Sequence, residues 1–233
     1  MTGTFINVAA ILIGGTIGLF FGSRIPERFK NTVIAGMGLF TAAMGLEMFL
    51  ESKNSLIVLG ALIIGALLGE WIGIEDGLQS LGQMLEKRFS SDSETGSGSK
   101  FVRGFMVSSL LFCIGPMAIL GSIQDGLNGN YEMLAVKSTL DGFAAIAFAS
   151  TLGVGVMFSS LIILVYQGGI SLLAGQLDAI VTDPMMAELI ATGGVILMGV
   201  AVSNLLELKK IRVGNFLPAL AVAPLIVWIL SLF

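Results

Sequence analysis

The chain reads as long apolar runs separated by short polar ones. Runs cover residues 5–22, 32–50, 55–73, 105–123, 140–166, 187–206 and 216–233. Each is near the roughly 20 residues that a helix needs to cross a bilayer. A further segment, 168–182, is shorter and holds Gly168, Gly169, Gly175, Gln176 and Asp178. It reads as a short crossing or a re-entrant hairpin. The runs are continuous and do not alternate at every second residue, which argues against a β-barrel. The pattern predicts an all-α fold: a polytopic transmembrane helical bundle of about eight spans, in a single integral membrane domain over residues 1–233.

Two stretches depart from this pattern. In residues 75–89, Leu78, Leu81, Met84, Leu85 and Phe89 recur at helical spacing opposite Gln79, Gln83, Glu86 and Lys87. That predicts an amphipathic helix, lying on the membrane surface or packed on the bundle. Residues 90–100 are rich in Ser, Gly and acidic side chains and read as a flexible polar linker.

Basic residues fix the expected orientation. Arg24, Arg28 and Lys30 follow the first run; Lys87, Arg88, Lys100 and Arg103 precede the fourth; Lys209, Lys210 and Arg212 precede the last. The positive-inside rule places all three clusters in the cytoplasm and both termini outside. Eight crossings satisfy every cluster and six or seven do not, so segment 168–182 is expected to cross.

Composition narrows the chemistry. The chain is 55% hydrophobic and 12% charged, where a soluble domain carries about 25% charged residues. A net charge of -4 argues against a nucleic-acid partner. There is no His, the commonest general base and metal ligand, and Cys113 stands alone in an apolar run. No phosphate-binding loop, nucleophile elbow or zinc-binding helix motif occurs. No catalytic residue, metal or cofactor is therefore assigned, and the chain is not read as an enzyme.

Gly14, Gly18 and Gly22 form one GxxxGxxxG, and Gly65, Gly69 and Gly73 another. Four-residue spacing aligns them on one helix face for close backbone approach, within one chain or in a homodimer or higher homo-oligomer. The richest polar stretch lies between residues 115 and 142. Gly115, Pro116 and Gly121 interrupt an apolar run, and Ser122, Gln124, Asp125, Lys137 and Asp141 follow. A Pro/Gly-broken span beside acidic groups is the sequence form of a discontinuous helix at an ion or substrate site. A plain outer loop with helix caps reads equally well. Glu47 stands among apolar residues in the second run, and Glu70 lies beside Trp71 near the end of the third. Glu70 reads as an interfacial anchor as readily as a functional group. Residues 6–40 can also be laid on 190–224, pairing Gly15 with Gly199, Arg28 with Arg212 and Asn31 with Asn215. This is a weak signal of internal duplication.

Several motifs together carry a resemblance. They are Gly3-Thr-Phe-Ile-Asn-Val-Ala, Gly115-Pro-Met-Ala-Ile-Leu-Gly-Ser-Ile-Gln-Asp-Gly, Lys137-Ser-Thr-Leu-Asp-Gly-Phe-Ala and Lys210-Ile-Arg-Val-Gly-Asn-Phe-Leu-Pro. With these the chain resembles, over its whole length, the uncharacterised bacterial inner-membrane family of the YdfK/YqgA type, domain of unknown function 554. The resemblance implies a multi-span fold and an inner-membrane location, and brings no substrate and no site residues.

Two functions from different classes fit. One is a small secondary transporter or channel for an ion or small polar solute. Asp125 and Asp141 would bind cation or proton, Gln124 and Ser122 would be neutral ligands, Lys137 would neutralise either acid, and Glu47 would line the path. The other is a membrane scaffold or regulatory subunit that docks a partner through residues 75–89. The lipid bilayer is the one partner common to both.

Overall fold

A computed structural model describes residues 1–22, 24–89 and 100–232. The expected linker at 90–100 lies outside the described residues, apart from Lys100. The elements in order are α1 (Thr2–Gly22), α2 (Glu27–Phe49), α3 (Ser55–Ile72), α4 (Ile74–Phe89), α5 (Lys100–Cys113) and α6 (Pro116–Asn128). They continue with α7 (Glu132–Leu152), α8 (Gly155–Leu172), the short α9 (Ala174–Asp178), α10 (Asp183–Val200) and α11 (Ala219–Leu230). Among the described residues no strand occurs. Helix α10 runs on into a π turn, Ala201–Leu205, and a 3-10 turn, Val213–Phe216, leads into α11.

Seven of these elements are long and apolar enough to cross a membrane, and α5 with α6 forms a further candidate bent by 64°. Phe5, Ile13, Phe20, Leu39, Phe40, Leu67 and Val165 are exposed on the long helices, as lipid-facing side chains are. The amphipathic α4 is too polar to join the spans.

The chain forms two compact units: Met1–Ala35 with Gln79–Ala179, and Gly36–Leu78 with Ile180–Phe233. The boundaries fall inside α2 and α4. In the first unit α1 packs lengthwise on α7. A Cβ at Gly14, Gly18 or Gly22 would meet the carbonyl of Gly142, Ile146 or Ser150 at 2.2, 2.3 or 2.6 Å. Only glycine lets the two backbones lie that close. Both members of each pair advance by four residues, so α1 and α7 run parallel. Helix α8 runs antiparallel to α1, since Met1 reaches Gly168 while Gly15 meets Met157. At its other end α4 packs Leu81 and Leu85 on the Phe101, Val102, Phe105 and Met106 cluster.

In the second unit Gly65 lies against Ala219 and Gly69 against Asn215, so α3 runs antiparallel to α11. Gly45 meets Gly194 and Met198 while Gly38 meets Leu205 and Leu206, so α2 runs antiparallel to α10. Gly73 does not join this packing. It ends α3 in the left-handed region, and a Cβ there would meet only Asp76 Oδ2 at 3.8 Å.

These directions bear on the bent pair, which is a broken span or a re-entrant loop. Parallel neighbours that both cross a membrane are separated by an odd number of crossings, and antiparallel ones by an even number. Counting the candidates α2 and α3 as two crossings between α1 and α7 leaves α5 and α6 together to make a third. The antiparallel pairs α1 with α8, α2 with α10 and α3 with α11 demand the same. With the seven long helices taken as crossings, the directions favour reading the bent pair as one broken span, the upper end of seven to eight candidate crossings.

Seven to eight candidate spans agree with the sequence reading of about eight, but two are drawn differently. The expected span 140–166 is two helices, α7 and α8, joined at Gly153, whose φ of 85° favours glycine. Helix α7 begins at Glu132, and Lys137 and Asp141, which read as boundary charges, pair with each other inside it. Segment 168–182 is not a span. Its start completes α8, and α9 is a five-residue turn.

Candidate functional site

Asp125 and Asp141 converge on the first two turns of α1. Gly3 N–H donates to Asp125 Oδ2 at 3.0 Å, and the amino terminus lies 3.1 Å from Oδ1. One turn on, Asn7 Nδ2 donates to Asp141 Oδ2 at 2.9 Å. Lys137 Nζ pairs with the same oxygen from one turn earlier on α7. All of these side chains are buried. A buried charge is tolerated when paired and hydrogen-bonded, and both carboxylates meet that condition from within the chain. The close approach of the helices makes it possible: Leu134 of α7 fills the space that a Cβ at Gly3 or at Gly121 would need.

Neutral polar groups are treated differently. Thr4 Oγ1, Asn7 Oδ1, Ser108 Oγ, Ser109 Oγ and both amide atoms of Gln167 are buried in this unit with no hydrogen-bond partner. Each such group costs about 1–3 kcal/mol when left unmade. Ser122 and Ser171 are satisfied: Ser122 Oγ donates to Ala118 O at 2.6 Å, and Ser171 Oγ donates to Ser122 O at 2.9 Å.

The break in the span lies in the same unit. Gly115 has φ 149° and ψ 149°, a conformation that L side chains rarely adopt, and Pro116 starts α6 with its fixed φ and no N–H to lose. No side chain caps α6. Ile114, Ala118 and Ile119 around the break are buried. Phe112 of α5 packs on Phe148 of α7 with ring centroids 6.4 Å apart, and Leu134 of α7 lies against Gly121 of α6, so α7 flanks both sides of the break.

The other expected residues are distributed as follows. Pro116 and Gly115 make the break; Gly121 lies inside α6 against Leu134. Gln124 is half-buried on α6, and Glu47 is exposed on α2 in the second unit. Glu70 accepts from Arg212 and from Asn215 Nδ2.

Sequence reasoning missed Asn7, Gln167 and Glu188. Asn7 and Gln167 are uncharged and each stands alone in an apolar run, and charge was the signal followed. Glu188 is the buried acid of the second unit. Its carboxylate accepts from Ser52 Oγ, Lys53 N and Asn54 N, all at 2.8 Å. It fixes the turn from α2 into α3, where Asn54 caps α3 through Leu56 N. A second network ties α4 to the segment before α11. Glu75 accepts from Gly214 N at 2.6 Å, its own N–H donates to Asn215 Oδ1 at 2.8 Å, and Arg212 pairs with Glu70 and Asp76. Desolvation raises the Glu75 carboxyl above the ordinary 4.5, against the pull of the Gly214 N–H, Arg212 and Lys210.

Long apolar helices with exposed apolar side chains, one bent helix pair and buried paired side chains inside a helical unit define a polytopic helical membrane protein with a polar heart. Residues 2–228 match the family described as Protein of unknown function (DUF554), and the chain belongs to that family. It is 30% identical over 237 residues to the uncharacterized membrane protein YdfK of Bacillus subtilis (strain 168), covering 100% of this chain and 98% of that protein. It is 30% identical over 221 residues to the uncharacterized protein YqgA of Escherichia coli (strain K12), covering 95% of this chain and 94% of that one. No solved structure matches the chain.

Proposed function

We propose that the protein is a small secondary transporter or channel of the bacterial inner membrane, moving an ion or small polar solute through its first unit. The span broken at Gly115–Pro116 beside the buried Lys137–Asp141 pair carries this reading. Irregular backbone at membrane depth is tolerated where it is enclosed by protein or lines a cavity. Paired charges inside a membrane protein are functional suspects by default. Unpartnered hydroxyl and amide groups in the same unit are what a polar solute would satisfy. The positive-inside count together with eight crossings supports both termini outside.

In this reading the carboxylates differ from the expected cation ligands. Donors from within the chain occupy both. Their role is to hold α1, α6 and α7 together at the break, with the Lys137–Asp141 pair as the contact whose opening changes access to it. The scaffold alternative has less to stand on, because Leu81 and Leu85 of α4 are occupied by the chain's own Phe101–Phe105 cluster.

The test is flux into proteoliposomes with a panel of cations, anions and neutral solutes, comparing wild type with Asp125→Asn and Asp141→Asn. Transport of one class, altered in folded variants, is expected. Wild-type protein that moves nothing on the panel contradicts the proposal.

A further inference from the structure

One end of the first unit gathers most of its basic charge. Gly22, at the end of α1, lies against Ser150 near the end of α7, and Gly155, which opens α8, lies against Phe101 at the start of α5. The Phe158 ring of α8 meets Phe89, the last residue of α4, at 5.2 Å between centroids, and Phe101 at 5.3 Å. Lys100 Nζ reaches Glu27 Oε1 at 2.9 Å and ties the start of α5 to the start of α2. Residues 20–30, 84–89, 100–103 and 150–158 therefore share this end. They hold seven bases and two acids, Glu27 and Glu86. At the end where α1 and α7 start, the acids Asp125, Glu132 and Asp141 outnumber the base Lys137.

The two acids leave most of this charge uncovered. Glu27 is taken by Lys100, and Glu86 is buried. Arg24, Arg28, Lys87 and Arg88 are exposed and Lys30 is half-buried. Among the described residues no carboxylate pairs with any of these five. A tight corner keeps Arg24 and Arg28 together: Arg24 N–H donates to Phe21 O at 3.0 Å, and Phe29 N–H to Pro26 O at 2.9 Å as α2 begins. The Arg24 guanidinium lies 4.5 Å from the centroid of the Phe20 ring. Phe20, Phe21, Phe29 and Met84 are each more than half exposed. Helices α1 and α2, which meet at this corner, are both long and apolar enough to cross a membrane. Unpaired bases beside exposed rings at the ends of such helices match a lipid surface in both its parts, phosphates and acyl chains. An acidic soluble partner would meet the charges and leave the rings unexplained.

We infer that this end of the first unit is a docking surface for anionic phospholipid. Arg24, Arg28 and Lys30 at the α1–α2 corner and Lys87 and Arg88 at the end of α4 take the headgroup phosphates, the arginines through their planar forks. Phe20, Phe21 and Phe29 lie among the acyl chains. The inference does not depend on the transport reading.

Purified full-length protein in neutral detergent tests it, with phosphatidylglycerol, phosphatidylcholine and inorganic phosphate as separate additions. Native mass spectrometry reads retained lipid, and thermal unfolding reads stabilisation. Wild type is expected to hold phosphatidylglycerol about tenfold or more tighter than phosphatidylcholine, with a preference that shrinks in high salt. Its midpoint is expected to rise with phosphatidylglycerol and not with phosphate. Arg24→Gln with Arg28→Gln and Lys30→Gln is expected to lose most of the preference, and Lys87→Gln with Arg88→Gln part of it. Lys209→Gln with Lys210→Gln, in the second unit, is expected to keep it. Because basic residues also orient the chain, cross-linking of wild type by a photoactivatable phosphatidylglycerol gives a reading that needs no variant. Adducts are expected on peptides covering residues 20–30 and 84–89. Equal binding of the two lipids overturns the inference, as do full preference in the triple variant or adducts confined to other peptides. Equal stabilisation by inorganic phosphate makes the occupant a free anion and overturns the lipid assignment. Equal loss in Lys209→Gln with Lys210→Gln shows a response to total charge and overturns the assigned place.

Discussion

Asn7 on α1 donates its amide to the carboxylate of Asp141 on α7 at 2.9 Å, and Lys137 holds the same carboxylate oxygen. This contact closes the parallel helix pair at the end where the broken span packs. Asp141→Asn leaves Lys137 buried without its counter-charge, a change that costs about 3–5 kcal/mol in buried pairs. Lys137→Met with Asp141→Leu removes both charges and is expected to cost much less. Thermal unfolding in one detergent checks the order; equal losses would show that the pair is not a coupled unit.

Gly18 sits where an added Cβ would lie 2.3 Å from the carbonyl of Ile146. Overpacking costs typically about 1–3 kcal/mol. Gly18→Val is expected to lower the midpoint and the yield of folded protein, whereas Gly36→Ala, with nothing within 4 Å, is expected to be silent. A silent Gly18→Val would mean that α1 and α7 are not in backbone contact.

Glu188 satisfies two backbone N–H groups and the Ser52 hydroxyl at the turn into α3. Glu188→Ala strands these donors at roughly 1–3 kcal/mol each if none finds water. Glu188→Gln keeps a carbonyl acceptor and is expected to lose less. Hydrogen exchange at Lys53 and Asn54 reads the effect directly: faster exchange is expected in Glu188→Ala, and unchanged rates would refute the assignment.

Glu75 gives a pH signature. Its folded pKa is raised above the unfolded value, so between the two the folded state holds more protons. Stability therefore falls as pH rises from 4.5 through the raised value, and is level above it. Glu75→Gln removes that fall while keeping an acceptor for Gly214 N–H. The gap between variant and wild type is expected to open with rising pH across this window; a gap that closes instead would reverse the sign.

Much of the fold was legible because a bilayer forces backbone groups to pair within the helix, so apolar length alone gave α1, α2, α3, α10 and α11. The errors came where one residue overrode length. Gly153 splits a run of apolar residues with a backbone conformation that hydropathy does not register. Lys137 and Asp141 looked like a boundary because pairing at i and i+4 is invisible until a helix is assumed. Gly115 and Pro116 were readable as a break, since their backbone limits are local. Gln167 and Asn7 were not, because their meaning lies in what does or does not reach their amide atoms across helices.

Straightening the broken span tests the central claim most directly. Gly115→Ala with Pro116→Ala permits one continuous helix from α5 into α6. Solute flux is measured in proteoliposomes for this variant and for wild type, with folding checked by helical circular dichroism and monodispersity. Flux through wild type and its loss in the folded variant are the expected result. Equal flux through both proteins, or none through wild type, would contradict the account.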